Sequence, residues 1–163
     1  MERRPWARTA NLIEEFIFNM ATPYESARLI LELYELRRDP KMRESRDFWI
    51  GFEPKSVEEM MAAMSGPDGA NVRMAPSYWE MAASLVVNGA IDATMFNDAN
   101  GEHVIVYGKL EPLIPAIREM MGNPGVYKSL ETVVMGMPNA RERVDGTVKR
   151  IRAMVAARAA AKA

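Results

Sequence analysis

Residues 22–38 read TPYESARLILELYELRR, and this stretch decides the fold because it predicts a helix that is apolar around most of its circumference. Thr22 is a suitable N-cap, and Pro23 suits the first helical position. The charged side chains keep to one seam at helical spacing: Glu25, Arg28, Glu32 and Glu35. A helix of this kind needs neighbours on several sides, so we expect it to organise a helical core.

The segments on either side of this helix also carry helical patterns. Apolar residues recur on one face between residues 9 and 21, and Pro23 ends that pattern. This first helix is expected to pack on the second. After it, Asp39 and Pro40 predict the N-cap and first turn of a short, half-exposed helix that runs to about Trp49.

Two further helices are predicted from capping boxes, in which a Ser and a Glu three residues later satisfy backbone groups at a helix start. The two pairs are Ser56 with Glu59, and Ser77 with Glu80. Between them, SGPDGANVRMAP (65–76) predicts a loop because turn formers are concentrated there. The second helix is expected to end at Asn88, with Gly89 in a left-handed stop.

The second half of the chain combines helical periodicity with proline. Residues 104–107 are β-favouring but belong to a longer helical pattern, which leaves helix and strand both open there. Pro112 and Pro115 predict a kink or restart near Glu111. Two Gly-x-Pro marks predict helix boundaries farther on: Gly122 to Pro124 and Gly136 to Pro138. Asp92 is expected to cap a brief turn through Asn97.

Composition limits the domain organisation and the class of protein. The 163 residues fit a single domain, with a loose lead-in over residues 1–8 and a basic helix over 139–163. That helix carries seven Lys or Arg against two acids, yet the chain's net charge is -1, which disfavours nucleic acid. No apolar run is long enough to span a bilayer, so we expect a cytoplasmic protein without a transmembrane segment.

The sequence offers no assembled catalytic or metal-binding set. His103 is the only histidine and there is no cysteine, so paired-histidine and thiolate metal sites cannot form. A calcium loop around residues 97–102 would need carboxylates where Phe96 and Tyr107 stand. No phosphate loop or Gly-x-Ser-x-Gly elbow is present. We therefore expect no catalytic residues, metal or cofactor, and a surface or structural role for His103.

The order SYWEMAASLVVNGAID, a break, then YGKLEPLIPAIREMMGNPGVYKSLETV resembles a bacterial family of small all-helical proteins known only as a domain of unknown function. The stretch LELYELRRDPKMR fits as well, so the resemblance covers about residues 29–135. The resemblance implies an α fold and brings no activity. It rests on these residues: Trp79, Glu80, Gly89, Ile91, Asp92, Tyr107, Arg118, Pro124 and Tyr127.

These observations predict an all-α protein, a single compact bundle of six to eight helices. Methionine side chains can fill irregular gaps in a core or form a surface that adapts to partners, and the chain has 14 of them. The leading hypothesis is a non-enzymatic interaction or scaffold protein that self-associates or binds a protein partner. An alternative is a small-molecule or enzymatic site among Trp79, Glu80, Tyr107 and Arg118. A second alternative is that the basic C-terminal helix binds an anion, nucleic acid or a membrane surface.

Overall fold

The computed structural model describes residues 21–161, and all of their regular structure is helical, which confirms the all-α prediction. In chain order the helices are α1 (Pro23–Leu36), α2 (Pro40–Gly51), α3 (Val57–Ser65), α4 (Gly69–Val87), α5 (Ala93–Ala99), α6 (Glu102–Leu110), a 3-10 turn (Glu111–Leu113), α7 (Ile114–Met121), α8 (Lys128–Met135) and α9 (Ala140–Ala160). The predicted lead-in over 1–8 and the helix predicted from Thr9 lie, apart from Ala21, outside these residues. Across residues 21–161, no helix has the length and apolar character needed to cross a membrane.

α1 lies at the surface and does not organise the core. Its predicted start is confirmed, because the Thr22 hydroxyl accepts the Glu25 N–H while the Glu25 carboxylate accepts the Thr22 N–H. Ser26 and Leu33 are its only buried residues. The prediction of a helix covered on most sides is wrong, since several of its large apolar side chains are exposed: Tyr24, Leu31, Tyr34 and Leu36.

The centre of the core is α4. This helix packs against α2, α3, α6 and α8. Trp79 is 1% exposed, and the small residues Ala75, Ala82 and Ala83 let neighbouring helices approach it closely. α4 takes the central place because most of its circumference is apolar and small, whereas α1 keeps large apolar groups on its outer side.

The loop predicted over residues 65–76 is wrong, because α4 begins at Gly69 and passes through Pro76. Proline has no N–H to offer the carbonyl four residues earlier, which belongs to Val72. The indole N–H of Trp49 from α2 lies 3.2 Å from that carbonyl and satisfies it. A tertiary contact thus replaces the missing helical hydrogen bond.

The capping box predicted at Ser77 is wrong for the same reason. Ser77 lies inside α4, where its hydroxyl donates to the carbonyl of Met74 at 3.0 Å. At Ser56, by contrast, half of the predicted box is present: its side chain accepts the Glu59 N–H at 3.2 Å, whereas the Glu59 carboxylate accepts the N–H of Lys55 at 2.8 Å. The end of α4 also follows the prediction, with Gly89 at φ 77°.

The helix ends and a new one begins near Pro112 and Pro115, as predicted. Residues 104–107 are helical within α6, and the 3-10 turn Glu111–Leu113 separates α6 from α7. Gly108 explains the fit of α6 against α9, because a Cβ there would lie 2.6 Å from Val148 and 3.0 Å from Val144. A larger residue would push these two helices apart.

Two polar clusters fasten the helices together. Glu102 at the start of α6 binds Arg37 at 3.1 Å and Arg46 at 2.7 Å, and Arg37 lies over the Trp79 ring. Lys109, 4% exposed, donates to three carbonyls at the end of α2: Trp49 at 2.6 Å, Ile50 at 2.9 Å and Phe52 at 2.9 Å. Burial lowers the pKa of Lys109 to about 8, while the three carbonyls favour its cation.

Candidate ligand-binding groove

An apolar groove runs between α3, α4 and α7, and the turn after α7 closes one side. Its volume is about 550 Å³, within the range of pockets that hold small ligands. We call it the methionine groove, because six methionines line it. The lining residues are Val57, Met60, Met61, Met64, Ser77, Glu80, Met81, Ser84, Ile117, Met120, Met121, Gly125, Val126 and Tyr127.

The methionines form both the floor and the walls of the groove. Met60 is 4% exposed and belongs to the core, whereas Met61, Met81, Met120 and Met121 keep between 38% and 58% of their surface exposed. Methionine has three rotatable bonds and a polarisable sulfur, so such walls can adapt to different apolar shapes. The groove is an adaptable apolar surface open to solvent.

The two serine hydroxyls of the groove are used within α4. Ser77 donates to the carbonyl of Met74 at 3.0 Å, and Ser84 donates to the carbonyl of Met81 at 2.7 Å. Hydroxyls that back-bond to their own helix have no donor left for a ligand. The α4 wall therefore presents mainly its apolar groups to the groove.

Glu80 contributes a carboxylate to the lining of the groove, and both of its oxygens already accept hydrogen bonds. Its two oxygens accept the backbone N–H groups of Ser129 at 3.0 Å and Leu130 at 2.8 Å, in the first turn of α8. α8 has no side-chain cap of its own, so Glu80 satisfies two of its N–H groups from another helix. Glu80 therefore holds α8 in place beside the groove.

Tyr127 lies at the end of the groove in a left-handed backbone conformation, φ 54°. Burial raises the pKa of its hydroxyl, and the nearby Glu80 carboxylate adds to the effect. No hydrogen bond joins this hydroxyl to another residue of the described chain. The hydroxyl of Tyr127 is thus not used by the described part of the fold.

The four predicted ligand residues occupy different surroundings. Glu80 lines the methionine groove. Trp79, next to it, points its indole N–H at Glu102, 3.3 Å away, on the opposite side of α4. The Tyr107 hydroxyl donates to Glu111 at 3.3 Å, in the turn after α6.

Arg118, the fourth of these residues, fastens the turn beside the groove. Its Nε donates to the Val126 carbonyl at 2.9 Å, and its guanidinium binds Glu131 at 3.0 Å. Arg118 and Glu80 thus both support the segment that joins α7 to α8. The structure does not join Trp79 and Tyr107 to them, and a ligand role for the four residues stays a prediction.

His103 is fully buried, and its side chain contacts only other parts of the fold. Its ring packs against Trp79 and Phe96, and Nε2 lies 3.0 Å from the Asn97 Oδ1. Burial, with a contribution from Arg37, lowers the pKa of His103 to about 4. Within residues 21–161, no three His, Cys, Asp or Glu side chains cluster in a way that could hold a metal ion.

Part of the positive charge of the basic C-terminal helix is paired with acidic side chains elsewhere in the chain. Arg141 binds Glu111 at 2.6 Å, and Arg152 binds Glu53 at 2.7 Å, which holds the pKa of Glu53 down at about 2. These pairs attach α9 to the rest of the bundle. Binding of an anion along this helix stays a prediction.

The sequence shows the methionines but not the groove that they line. The signal was present in Met60, Met61 and Met64 on one short helix and in Met120 and Met121 on another. The third wall, with Met81, lies in the helix predicted to end at Asn88. The sequence does not show that these three helices meet.

A family model, Domain of unknown function (DUF4760), matches residues 24–137. The chain belongs to this family. The match confirms the resemblance to a domain of unknown function, and all residues that line the methionine groove fall inside the DUF4760 range. No curated protein and no solved structure matches the chain significantly. Membership in DUF4760 brings no activity with it.

Proposed function

We propose that this DUF4760 protein is a non-enzymatic interaction protein whose methionine groove binds the apolar face of an amphipathic helix. The observation that carries the proposal is the pairing of exposed methionine walls with polar groups that are already used by the fold. Four wall methionines are 38% to 58% exposed, while Ser77, Ser84 and Glu80 bond to backbone groups. Such a surface favours apolar contact and offers little for chemistry.

The openness of the groove favours a helix over a small molecule. Small ligands bind in pockets that enclose most of their surface. A groove between helices instead accepts the apolar stripe of another helix and leaves its polar side in water. The exposed wall methionines show an open groove, and their flexibility suits helices of differing sequence.

Tyr127 and Glu80 add a polar end to this surface. The Tyr127 hydroxyl can donate to a carbonyl at the end of a docked helix, where carbonyls lack intrahelical partners. A tyrosine hydroxyl is protonated at neutral pH, and burial, together with the nearby Glu80 carboxylate, raises the pKa of Tyr127 further. This arrangement gives a docked helix a preferred direction.

The test uses a synthetic Leu/Lys peptide of about four helical turns as the probe. Circular dichroism should show the peptide gaining helicity when mixed with the protein, and fluorescence anisotropy of a labelled peptide gives the dissociation constant. Met81→Glu places a charge on a wall residue that is 40% exposed, so the fold should tolerate it. We expect this variant to bind the peptide about tenfold or more weakly.

The matched control is Met135→Glu, since Met135 is also 40% exposed but does not line the groove. It should bind the peptide as the unmodified protein does. Equal loss in both variants would point to nonspecific apolar binding and contradict the proposal. Absence of peptide binding by the unmodified protein would also contradict it.

A further inference from the structure

A second hollow adjoins the methionine groove, with which it shares Val57 of α3 and Met120 of α7. We call it the acidic hollow. Besides the two shared residues, its lining includes two apolar side chains and two carboxylates: Leu113, Ala116, Glu58 and Glu119. A molecule that lies in the groove and extends past the shared residues therefore reaches these carboxylates.

The two carboxylates of the acidic hollow are not neutralised by the described part of the chain. Glu58 and Glu119 are both exposed, and neither forms an ion pair with another residue of 21–161. The basic residues nearest to them in the chain bind other acidic side chains, Lys55 at 2.6 Å and Arg118 at 3.0 Å. Negative charge is thus available to a partner at this end of the groove.

The charge around the methionine groove and the acidic hollow has a single sign. Among the described residues, the charged side chains that line either cavity are Glu58, Glu80 and Glu119. The whole chain has a net charge of only -1, so this excess of carboxylates is a property of the site. Such a surface attracts a cationic partner and repels an acidic one.

We infer that the helix taken by the methionine groove is a basic amphipathic helix of another protein, with a Lys or Arg beside its apolar stripe that binds Glu58 and Glu119. This inference rests on the proposed function, because it names the kind of helix that the groove takes. Lys and Arg combine an apolar stem with a charged end. Leu113 and Ala116 suit the stem, and the two carboxylates accept hydrogen bonds from the charged end.

The first experiment compares three synthetic peptides of about four helical turns on the unmodified full chain. They share one leucine stripe and carry Lys, Gln or Glu at the polar positions. These three residues have similar helix propensities, so differences in binding report the charge. Fluorescence anisotropy should show the Lys peptide binding most tightly and the Glu peptide most weakly, about tenfold or more apart. Raising the salt to about 0.5 M should reduce this difference.

The second experiment removes the two carboxylates without changing the apolar groove. A Glu58→Gln and Glu119→Gln double variant should bind the Lys peptide about three- to tenfold more weakly and the Gln peptide as before. The matched control is Glu32→Gln with Glu35→Gln, which changes the net charge equally. These side chains are 60% and 68% exposed and line neither cavity. Equal loss in both double variants would mean that only net charge matters and would overturn the inference.

The Gln peptide separates failure of this inference from failure of the proposed function. If all three peptides bind equally tightly, the inference is overturned and the proposed function stands. If none binds, or if Met81→Glu does not weaken the uncharged Gln peptide, the proposed function itself fails. Sedimentation equilibrium covers the remaining occupant. Self-association of the unmodified chain that the Glu58 and Glu119 double variant abolishes would make a second copy the partner and overturn the inference.

Discussion

The hydroxyl of Ser45 donates to the carbonyl of Asn71 at 2.7 Å and accepts the N–H of Ala75 at 3.0 Å. These are the two backbone groups that an uninterrupted α-helix joins directly. Pro76 crowds this turn, so a side chain from α2 bridges it. Ser45 is fully buried, which makes each of the two hydrogen bonds costly to lose.

Ser45→Ala should lower the free energy of unfolding by about 1–3 kcal/mol, because it leaves the buried N–H of Ala75 without its partner and leaves the Asn71 carbonyl with only the Trp49 indole N–H, at 3.1 Å. In a Pro76→Ala background the helix can close its own bonds, so the same change should cost less. Urea denaturation of the four chains measures this coupling. Ser77→Ala, a hydroxyl on the exposed side of α4, is the control and should stay within about 0.5 kcal/mol. Strictly additive costs would refute the bridging role.

Replacing Gly108 or Gly146 with alanine should change stability in opposite directions, although the two glycines lie in helices that pack on each other, α6 and α9. Gly108→Ala brings a methyl within 2.6 Å of Val148 and should destabilise the chain by about 1–3 kcal/mol. Gly146→Ala meets no atom within 4 Å in the middle of α9 and should stabilise it by about 0.5–1 kcal/mol. Thermal and urea unfolding of each variant measure whether its free energy of unfolding rises or falls. A stabilising Gly108→Ala would mean that α6 and α9 are not in close contact, and a destabilising Gly146→Ala would contradict the open space at that position.

His103 should make the chain sensitive to acid. Burial lowers its pKa in the folded state from 6.5 to about 4, so between these values the unfolded chain binds more protons than the native one. Stability should therefore fall as the pH drops from 6.5 to 4, by up to about 3 kcal/mol from this group. Because His103 is the only histidine, its NMR ring signal can be followed without ambiguity.

The matching variant for this pH effect is His103→Leu, which should flatten the stability curve between pH 4 and 6.5. Other charged groups near the ring, Arg37 and Glu102, are present in both chains and cancel in the comparison. A histidine that titrates near its ordinary value of 6.5 would show that the ring is accessible to water and would contradict the buried position.

Lys109 should contribute strongly to stability although it forms no close ion pair within residues 21–161, where Glu53 acts on its charge only from a distance. Lys109→Met keeps much of the volume but leaves three carbonyls at the end of α2 without their donor, a cost of about 2–4 kcal/mol. Lys128→Met, on a residue that is 63% exposed, should change stability by less than about 0.5 kcal/mol. Chemical denaturation of both variants is the measurement. Similar small costs would mean that water replaces the lysine.

Local signals predicted the helix boundaries that depend on local chemistry. Thr22 with Glu25, Asp39 with Pro40 and Gly89 act within a turn of the chain, so their effect can be recognised in the sequence. The restart at Glu111 also follows from prolines nearby.

Where prediction failed, a distant residue decided the outcome. Pro76 signals a break until Trp49 and Ser45, from another helix, satisfy the carbonyls it leaves open. Glu80 matches a local capping box but caps α8, some fifty positions later. The methionine groove could not be predicted for the same reason, because nothing within α3, α4 or α7 shows that these helices pack side by side.

The Glu80 carboxylate belongs at once to the wall of the methionine groove and to the first turn of α8. Any change in the position of the Glu80 carboxylate should therefore alter the hydrogen bonds of the Ser129 and Leu130 amide protons, although neither residue lines the groove. Their hydrogen-exchange rates and chemical shifts report on any molecule that draws Glu80 toward itself. The fold thus contains its own reporter of occupancy, which can be observed before any natural partner has been identified.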